Sequence, residues 1–361
     1  MNDELIKILS MILIPFLLVV CIMPYIKKLA FKIGAVDVPR TNHIHTKTIA
    51  KLGGLGIYFG FLLGYILFGT YSTPMMSVLI GSFIIILFGI IDDITELPPS
   101  TKLIGQIIAA SVVAFYGNIL LKEISAFGIY MNFGFLAYPL TIFFIVACIN
   151  CINLIDGLDG LSGGISSIYF LTIGIIAVMK NKFGMDFVLT FIMLGSTLGF
   201  LVYNFPPAKI FAGDSGSMFL GFIISVIALL GFKNVTLTSL IVPLLILAIP
   251  ILDTLFAILR RTLKGEKIVE RDEFHIHHQL LKKNISIKNA VLIIYLVDIL
   301  FAIASIIYVI KDRYLGYIVY GILFTIVIVF IINTTVVFDK KNGKKNKAKK
   351  PAKKIDWFQS F

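Results

Sequence analysis

Charge is what this 361-residue sequence has least of: 14% of its residues are Asp, Glu, Lys or Arg, against 58% hydrophobic, and its mean hydropathy is +0.97. A soluble domain carries roughly 25% charged residues, so this balance excludes a water-soluble globular protein. Cysteine is also scarce. Cys21, Cys148 and Cys151 all fall in apolar runs with no paired extracytoplasmic spacing, which argues against a disulfide framework. Cys148 and Cys151 have neither redox nor zinc context around them and read as packing residues. Missing too is any G-x-x-x-x-G-K-[ST] loop, and with it an ATP site of that kind.

What is present is a series of apolar runs of roughly 20 residues, the length a helix needs to cross a bilayer. The expected class is an all-α, polytopic integral membrane protein with about 11 transmembrane helices. The spans are 5–25, 52–70, 74–91, 103–121, 135–153, 161–179, 184–203, 215–231, 238–259, 289–310 and 314–337. Residues 122–134 leave room for a short hairpin or re-entrant piece. The runs are continuous and lack the two-residue alternation of lipid-facing strands, which argues against a β-barrel. The first run has a partly acidic flank and no small-residue cleavage site, so it reads as a retained helix.

Orientation follows from the basic residues, which cytoplasmic loops carry in excess. Of the 32 Lys and Arg, 25 fall in one set of alternate loops and the tail. That puts the N-terminus outside, the C-terminus in the cytoplasm, and a basic face inward. The formal charge of +12 then suits anionic headgroups and phosphorylated substrates more than nucleic acid.

The unusual polar residues gather on that inner face. Asp92 and Asp93 end the third span, Lys102 opens the fourth, "NCINLIDGLDGLSGG" ends the fifth, and "NFPPAKIFAGDSGS" joins the seventh to the eighth. All five histidines lie in inner loops too. A carboxylate within the hydrocarbon costs about 2.5–3.5 kcal/mol on insertion scales, so several converging at one side point to a functional site.

The fifth-span motif has a readable geometry. Asn150, Asn153, Asp156 and Asp159 recur every third residue and are helical neighbours, although the stripe drifts by about 60° per step. Two Asp-Gly steps then predict that the helix unwinds at "DGLDG", freeing backbone for a ligand. "AGDSGS" predicts a close backbone approach to phosphate, with Asp214 as a hard oxygen ligand. Asp92 and Asp93 are about 100° apart on a helix, so one of them is expected to face the site. "HIHHQL" suits phosphate or sugar contact in a basic loop better than zinc, for which no ligand spacing is present.

The ordered series "DDITELPPSTKLIGQ", "NCINLIDGLDGLSGG", "NFPPAKIFAGDSGSMFLG", "PILDTLFAILRR" and "RDEFHIHHQL" resembles the polyprenyl-phosphate N-acetylhexosamine-1-phosphate transferases, from about Asp37 to Leu280. The "HIHH" form is closer to the UDP-GlcNAc:undecaprenyl-phosphate branch that starts teichoic acid and O-antigen synthesis than to the phospho-MurNAc-pentapeptide transferase. The resemblance implies a bacterial plasma-membrane enzyme with its active site in the cytoplasm. Such an enzyme transfers GlcNAc-1-phosphate from a UDP-sugar to polyprenyl phosphate and uses Mg²⁺, with Mn²⁺ as a substitute. It implies Asp214 as the metal ligand with Asp156 as a second contributor. Asn204 and Phe211 would hold the uridine, with Asp159, Gly157 and Leu158 completing the pocket, and Asn153 would be a further substrate-binding residue. Asp92, with Asp93 beside it, would position or deprotonate the lipid phosphate. Lys102, Arg271, His275, His277 and His278 would neutralise phosphates or contact the sugar. A homodimer is also implied.

One departure stands out. Where the family carries Arg-Lys in the first inner loop, "DVPRTNHIH" has Asn42 and His43; Lys47 is the expected substitute. Residues 1–338 are expected to form one catalytic transmembrane domain. Residues 339–361 are expected to be a disordered basic tail on anionic lipid. The competing class is a secondary transporter, which would place its carboxylates near the bilayer midplane and show an inverted repeat; the sequence shows no convincing repeat, and most of its polar clusters lie at one interface.

Overall fold

The computed structural model describes residues 2–39, 48–126, 129–232, 276–311 and 313–333, and isolated positions between 251 and 262. The helices are α1 (Asn2–Ile33), α2 (Gly53–Phe68), α3 (Thr73–Thr95), α4 (Pro99–Ser111), α5 (Ala137–Ile155), α6 (Leu161–Met179), α7 (Met185–Asn204), α8 (Gly213–Phe232), α9 (Ile276–Lys282), α10 (Ile287–Ile310) and α11 (Arg313–Asn333). Seven helices among the described residues are long and apolar enough to cross a membrane, and Gly53–Phe68 and Tyr314–Val329 are shorter apolar helices. The chain is a polytopic helical membrane protein. Most of the expected span 238–259 lies outside the described residues.

Two short ladders amend the all-α expectation. Val36–Asp37 pairs antiparallel with Ile49–Ala50, closing the loop between α1 and α2 at its base. Glu123–Ala126 pairs with Ile129–Asn132, which is the hairpin for which residues 122–134 left room. The fourth span also departs from a plain helix, because α4 runs into a π-helical turn at Val112–Tyr116.

Helix α8 is the hub. It packs against α2, α3 and α5, and 89% of its apolar window is buried, against 17% for α1 at the periphery. Small residues bring its N-terminal end close to its neighbours. A Cβ on Gly54 of α2 would lie 2.1 Å from the Gly216 backbone nitrogen, and one on Gly89 of α3 would lie 2.3 Å from Ser215 Cα. Small interfacial residues of this kind allow close helix approach in lipid, where dispersion and hydrogen bonds replace the hydrophobic effect.

Helix α1 keeps two internal prolines, Pro15 and Pro24. Proline at 24 has no N–H to give the carbonyl of Val20, and the Tyr203 hydroxyl of α7 donates to that carbonyl at 3.0 Å. A freed backbone group in a membrane helix is tolerated when a neighbour satisfies it in this way.

Candidate active site

The site forms where the ends of α3, α4, α5 and α8 meet. Ser72 caps α3 and Pro74 sits in its first turn, and the helix closes at Glu96 in a left-handed conformation with φ 49°. Pro99 then starts α4 at once. This tight turn brings Lys102 back against the last turn of α3.

Lys102 is the bridge. Its Nζ lies 2.6 Å from Asp92 Oδ2 and 3.2 Å from Asp214 Oδ2. Asp92 is 2% exposed at its side chain, whereas Lys102 and Asp214 are 25% and 24% exposed, so these two can meet a substrate directly. The other oxygen of Asp92 accepts the Leu97 N–H at 2.6 Å. Its two oxygens thus hold Lys102 and the turn that carries it, beside the Asp214 carboxylate.

Asp93 faces elsewhere. Its carboxylate accepts the backbone N–H of Asp214 at 2.8 Å, the N–H of Ser215 at 3.2 Å and the Ser215 hydroxyl at 2.7 Å. A side chain of α3 therefore caps the first turn of α8, where helical N–H groups have no partner of their own. The adjacent pair splits its work as their 100° separation requires.

From α5, Asn153 donates to Asp214 Oδ1 and, at 2.8 Å, to Ser217 Oγ. The helix ends at Ile155, with Asp156 at its C-cap. Asp156 accepts the Ser162 hydroxyl at 2.5 Å. Burial pushes its carboxyl up to about 7, opposed by Ser162 and reinforced by the charges of Asp214 and Asp159. Asp156 thus lies between two groups of residues.

The second group staples two loops together. Asp159 accepts the Ala208 N–H at 2.9 Å. Asn204 accepts from Gly160 N at 3.0 Å and donates to the Ile210 carbonyl at 2.9 Å. Tyr295 of α10 donates its hydroxyl to the Gly160 carbonyl, and Gly160 takes φ +78°. Phe211 is clamped through its backbone, giving its N–H to Ala50 at 2.8 Å and accepting from Gly53 at 2.9 Å. Gly157 is exposed and Leu158 buried. The side chains of Asp159 and Asn204 hold this loop through those hydrogen bonds.

Among the described residues no three His, Cys, Asp or Glu side chains form a ready cage for a metal. Mg²⁺ is usually held by one or two carboxylates together with water and substrate phosphates. Asp214, about a quarter exposed and near enough to Asp156 for their charges to interact, fits that donor set.

Lys47, Arg271 and His275 lie outside the described residues. His277 and His278 fall in the first turn of α9, and their side chains are likewise outside the description. Sequence reasoning missed Ser162, Ser215, Ser217 and Tyr295. Both Ser215 and Ser217 stood inside "AGDSGS", while Tyr295 gives no local signal.

Residues 75–232 match the family description Glycosyl transferase family 4. The chain is 39% identical over 314 residues, 85% of this chain and 86% of the relative, to the probable undecaprenyl-phosphate N-acetylglucosaminyl 1-phosphate transferase of Bacillus subtilis (strain 168). It is 32% identical over 303 residues, 75% of each chain, to the decaprenyl-phosphate N-acetylglucosaminephosphotransferase of Mycolicibacterium smegmatis. It is 32% identical over 277 residues, 74% of this chain and 78% of the relative, to the undecaprenyl-phosphate alpha-N-acetylglucosaminyl 1-phosphate transferase of Haemophilus influenzae. With these extents of identity and the motif carboxylates assembled at one end of the bundle, the chain belongs to the polyprenyl-phosphate N-acetylhexosamine-1-phosphate transferases of glycosyl transferase family 4.

Proposed function

We propose that this protein transfers GlcNAc-1-phosphate from UDP-GlcNAc to undecaprenyl phosphate. The products are undecaprenyl-diphosphate-GlcNAc and UMP, and the step would be the first membrane reaction of a cell-envelope polysaccharide. The supporting observation is the Asp92–Lys102–Asp214–Asn153 cluster, in a chain 39% identical to a relative named for that activity. The reading includes eleven spans, the N-terminus outside, and the active site on the cytoplasmic side of the bacterial plasma membrane, supported by the basic inner loops.

An oxygen of the lipid phosphate attacks the β-phosphorus of the UDP-sugar, the bond from that phosphorus to the bridging oxygen breaks, and UMP leaves. One diphosphate linkage replaces another, so the reaction is close to isoenergetic. Two anionic reactants must meet, and positive charge at the reacting phosphates does most of the catalytic work. Lys102 supplies one such charge, held in place by buried Asp92. Asp214, with Asp156, would hold Mg²⁺, which when bound supplies Lewis-acid screening of the diphosphate. Asn153 and Asp93 fix Asp214 from the side chain and the backbone respectively. The loop 156–160, stapled to 204–210, forms the wall against which the nucleoside would bind.

The test is an assay in membranes with radiolabelled UDP-GlcNAc, added undecaprenyl phosphate and Mg²⁺. Lipid-linked product and UMP release are expected. Absence of both from folded protein would sink the transferase reading. Preferential use of UDP-MurNAc-pentapeptide in competition would move the assignment to peptidoglycan synthesis.

A further inference from the structure

Directly behind the reactive cluster lies a second polar layer that the chemistry above does not use. Gln106 is one helical turn beyond Lys102 on α4, Asn150 one turn before Asn153 on α5, and Met218 one turn beyond Asp214 on α8. Asn150 Nδ2 donates to Gln106 Oε1 at 2.7 Å and to the Val146 carbonyl at 2.8 Å. Gln106 Nε2 returns a contact to Asn150 Oδ1 at 3.5 Å and also reaches Met218 Sδ at 3.5 Å. Gln106 is buried.

The rest of α4 explains why this layer matters. The helix presents Leu103, Ile104, Ile107 and Ile108 outward, toward lipid. Its buried face consists of Gly105, Gln106, Ala109 and Ala110. On the α3 side Phe88 seats against Gly105, where a Cβ would lie 2.6 Å from the ring. Toward α5 and α8, Gln106 is the one long side chain among these buried residues, so beyond the Lys102 ion pairs it is the directional contact that fixes the rotation of α4. Apolar residues of similar size would pack such a site without the desolvation cost of two amides, so stability alone does not explain their presence.

We propose that the Gln106–Asn150 amide pair is a positioning device: it fixes the rotation and register of α4 and thereby holds Lys102 between Asp92 and Asp214. Reciprocal amide bonds are directional and tolerate little helix rotation. Lys102 and Gln106, four residues apart, share one face, so a rotation or slide of α4 that misplaces the root of the Lys102 side chain must also break the pair. Gln106 and Asn150 are positioning residues that act through Lys102.

The inference rests on the transferase reading; wild-type turnover tests that reading, and the ratio of variant to wild type tests this one. Three forms are compared in detergent for kcat, for KM toward UDP-GlcNAc and for thermal midpoint: wild type, Gln106→Leu with Asn150→Leu, and the exchanged pair Gln106→Asn with Asn150→Gln. The leucine pair is expected to melt close to wild type and keep KM within about twofold. Its kcat should fall at least about tenfold, since an ångström of misplacement can cost about 10²-fold. The exchanged pair should recover most of that loss. A leucine pair with wild-type kcat, or a loss that tracks only the folded fraction, overturns the proposal. If the leucine pair does not fold, Asn150→Ala is read by the same split: a lowered kcat at unchanged KM upholds the proposal, and an unchanged kcat overturns it.

Discussion

Asp93 accepts the backbone N–H of Asp214 at 2.8 Å, so a carboxylate on α3 sets where the reactive carboxylate on α8 begins its helix. Replacing Asp93 with Ala would leave the Asp214 and Ser215 N–H groups and the Ser215 hydroxyl without their acceptor. The expected cost is about 1–3 kcal/mol for each buried group left unsatisfied. A lowered thermal midpoint together with lost turnover is the expected result, measured by melting and assay on the same preparation. An unchanged midpoint would contradict the capping role.

Asp214→Asn keeps the shape of the side chain and its contact with Asn153 but removes the charge that Lys102 and a divalent cation would meet. Turnover should disappear at every Mg²⁺ concentration while expression and melting stay near wild type. Near-normal activity across a Mg²⁺ titration would remove Asp214 from the site.

Lys102→Met preserves the apolar stem and deletes the ammonium that lies 2.6 Å from Asp92 and 3.2 Å from Asp214. A fall in kcat of about 10²-fold or more is expected, comparable to losing one preorganised electrostatic group at a reacting centre. Initial rates at saturating UDP-GlcNAc and lipid phosphate decide it.

Tyr295→Phe removes one hydrogen bond, the one from α10 to the Gly160 carbonyl. A net loss of about 1 kcal/mol corresponds to roughly fivefold. That loss is expected in KM for the UDP-sugar, since the loop it steadies is the proposed nucleoside wall, with kcat little changed. An equal fall in kcat with constant KM would place the loop at the chemical step.

Gly54→Ala tests the closeness of α2 and α8. The added methyl would meet the Gly216 backbone at 2.1 Å, which no rotamer change relieves. Overpacking of this kind costs about 1–3 kcal/mol, and the displaced α8 carries Asp214, so both thermal midpoint and kcat should fall.

Much of this molecule could be read from periodicity and charge. Apolar runs of bilayer length located the helices because a membrane offers the backbone no other partner for its polar groups. The Asp-Gly steps located the end of α5, since Asp and Gly release a helix cheaply. The gathering of Asp92, Lys102, Asn153 and Asp214 at one end was visible once each was placed at a helix terminus on the same side.

Which atom serves which partner was not visible. Asp92 and Asp93 are chemically identical neighbours, and only the packing of α3 against α4 and α8 sends one to Lys102 and the other to a helix N-terminus. The family resemblance implies Asp159 and Asn204 at the nucleoside, and it says nothing of their stapling of loops 49 and 44 positions apart in sequence. Tyr295 lies 135 residues from Gly160, beyond any local pattern. The sequence by itself determined the helices, the likeness to the family and the polar clusters at the helix ends, because those follow from local periodicity and motif order. The tertiary structure decided the division of labour among the carboxylates, because hydrogen-bond partners depend on helix rotation and register, and those are set by packing between distant segments.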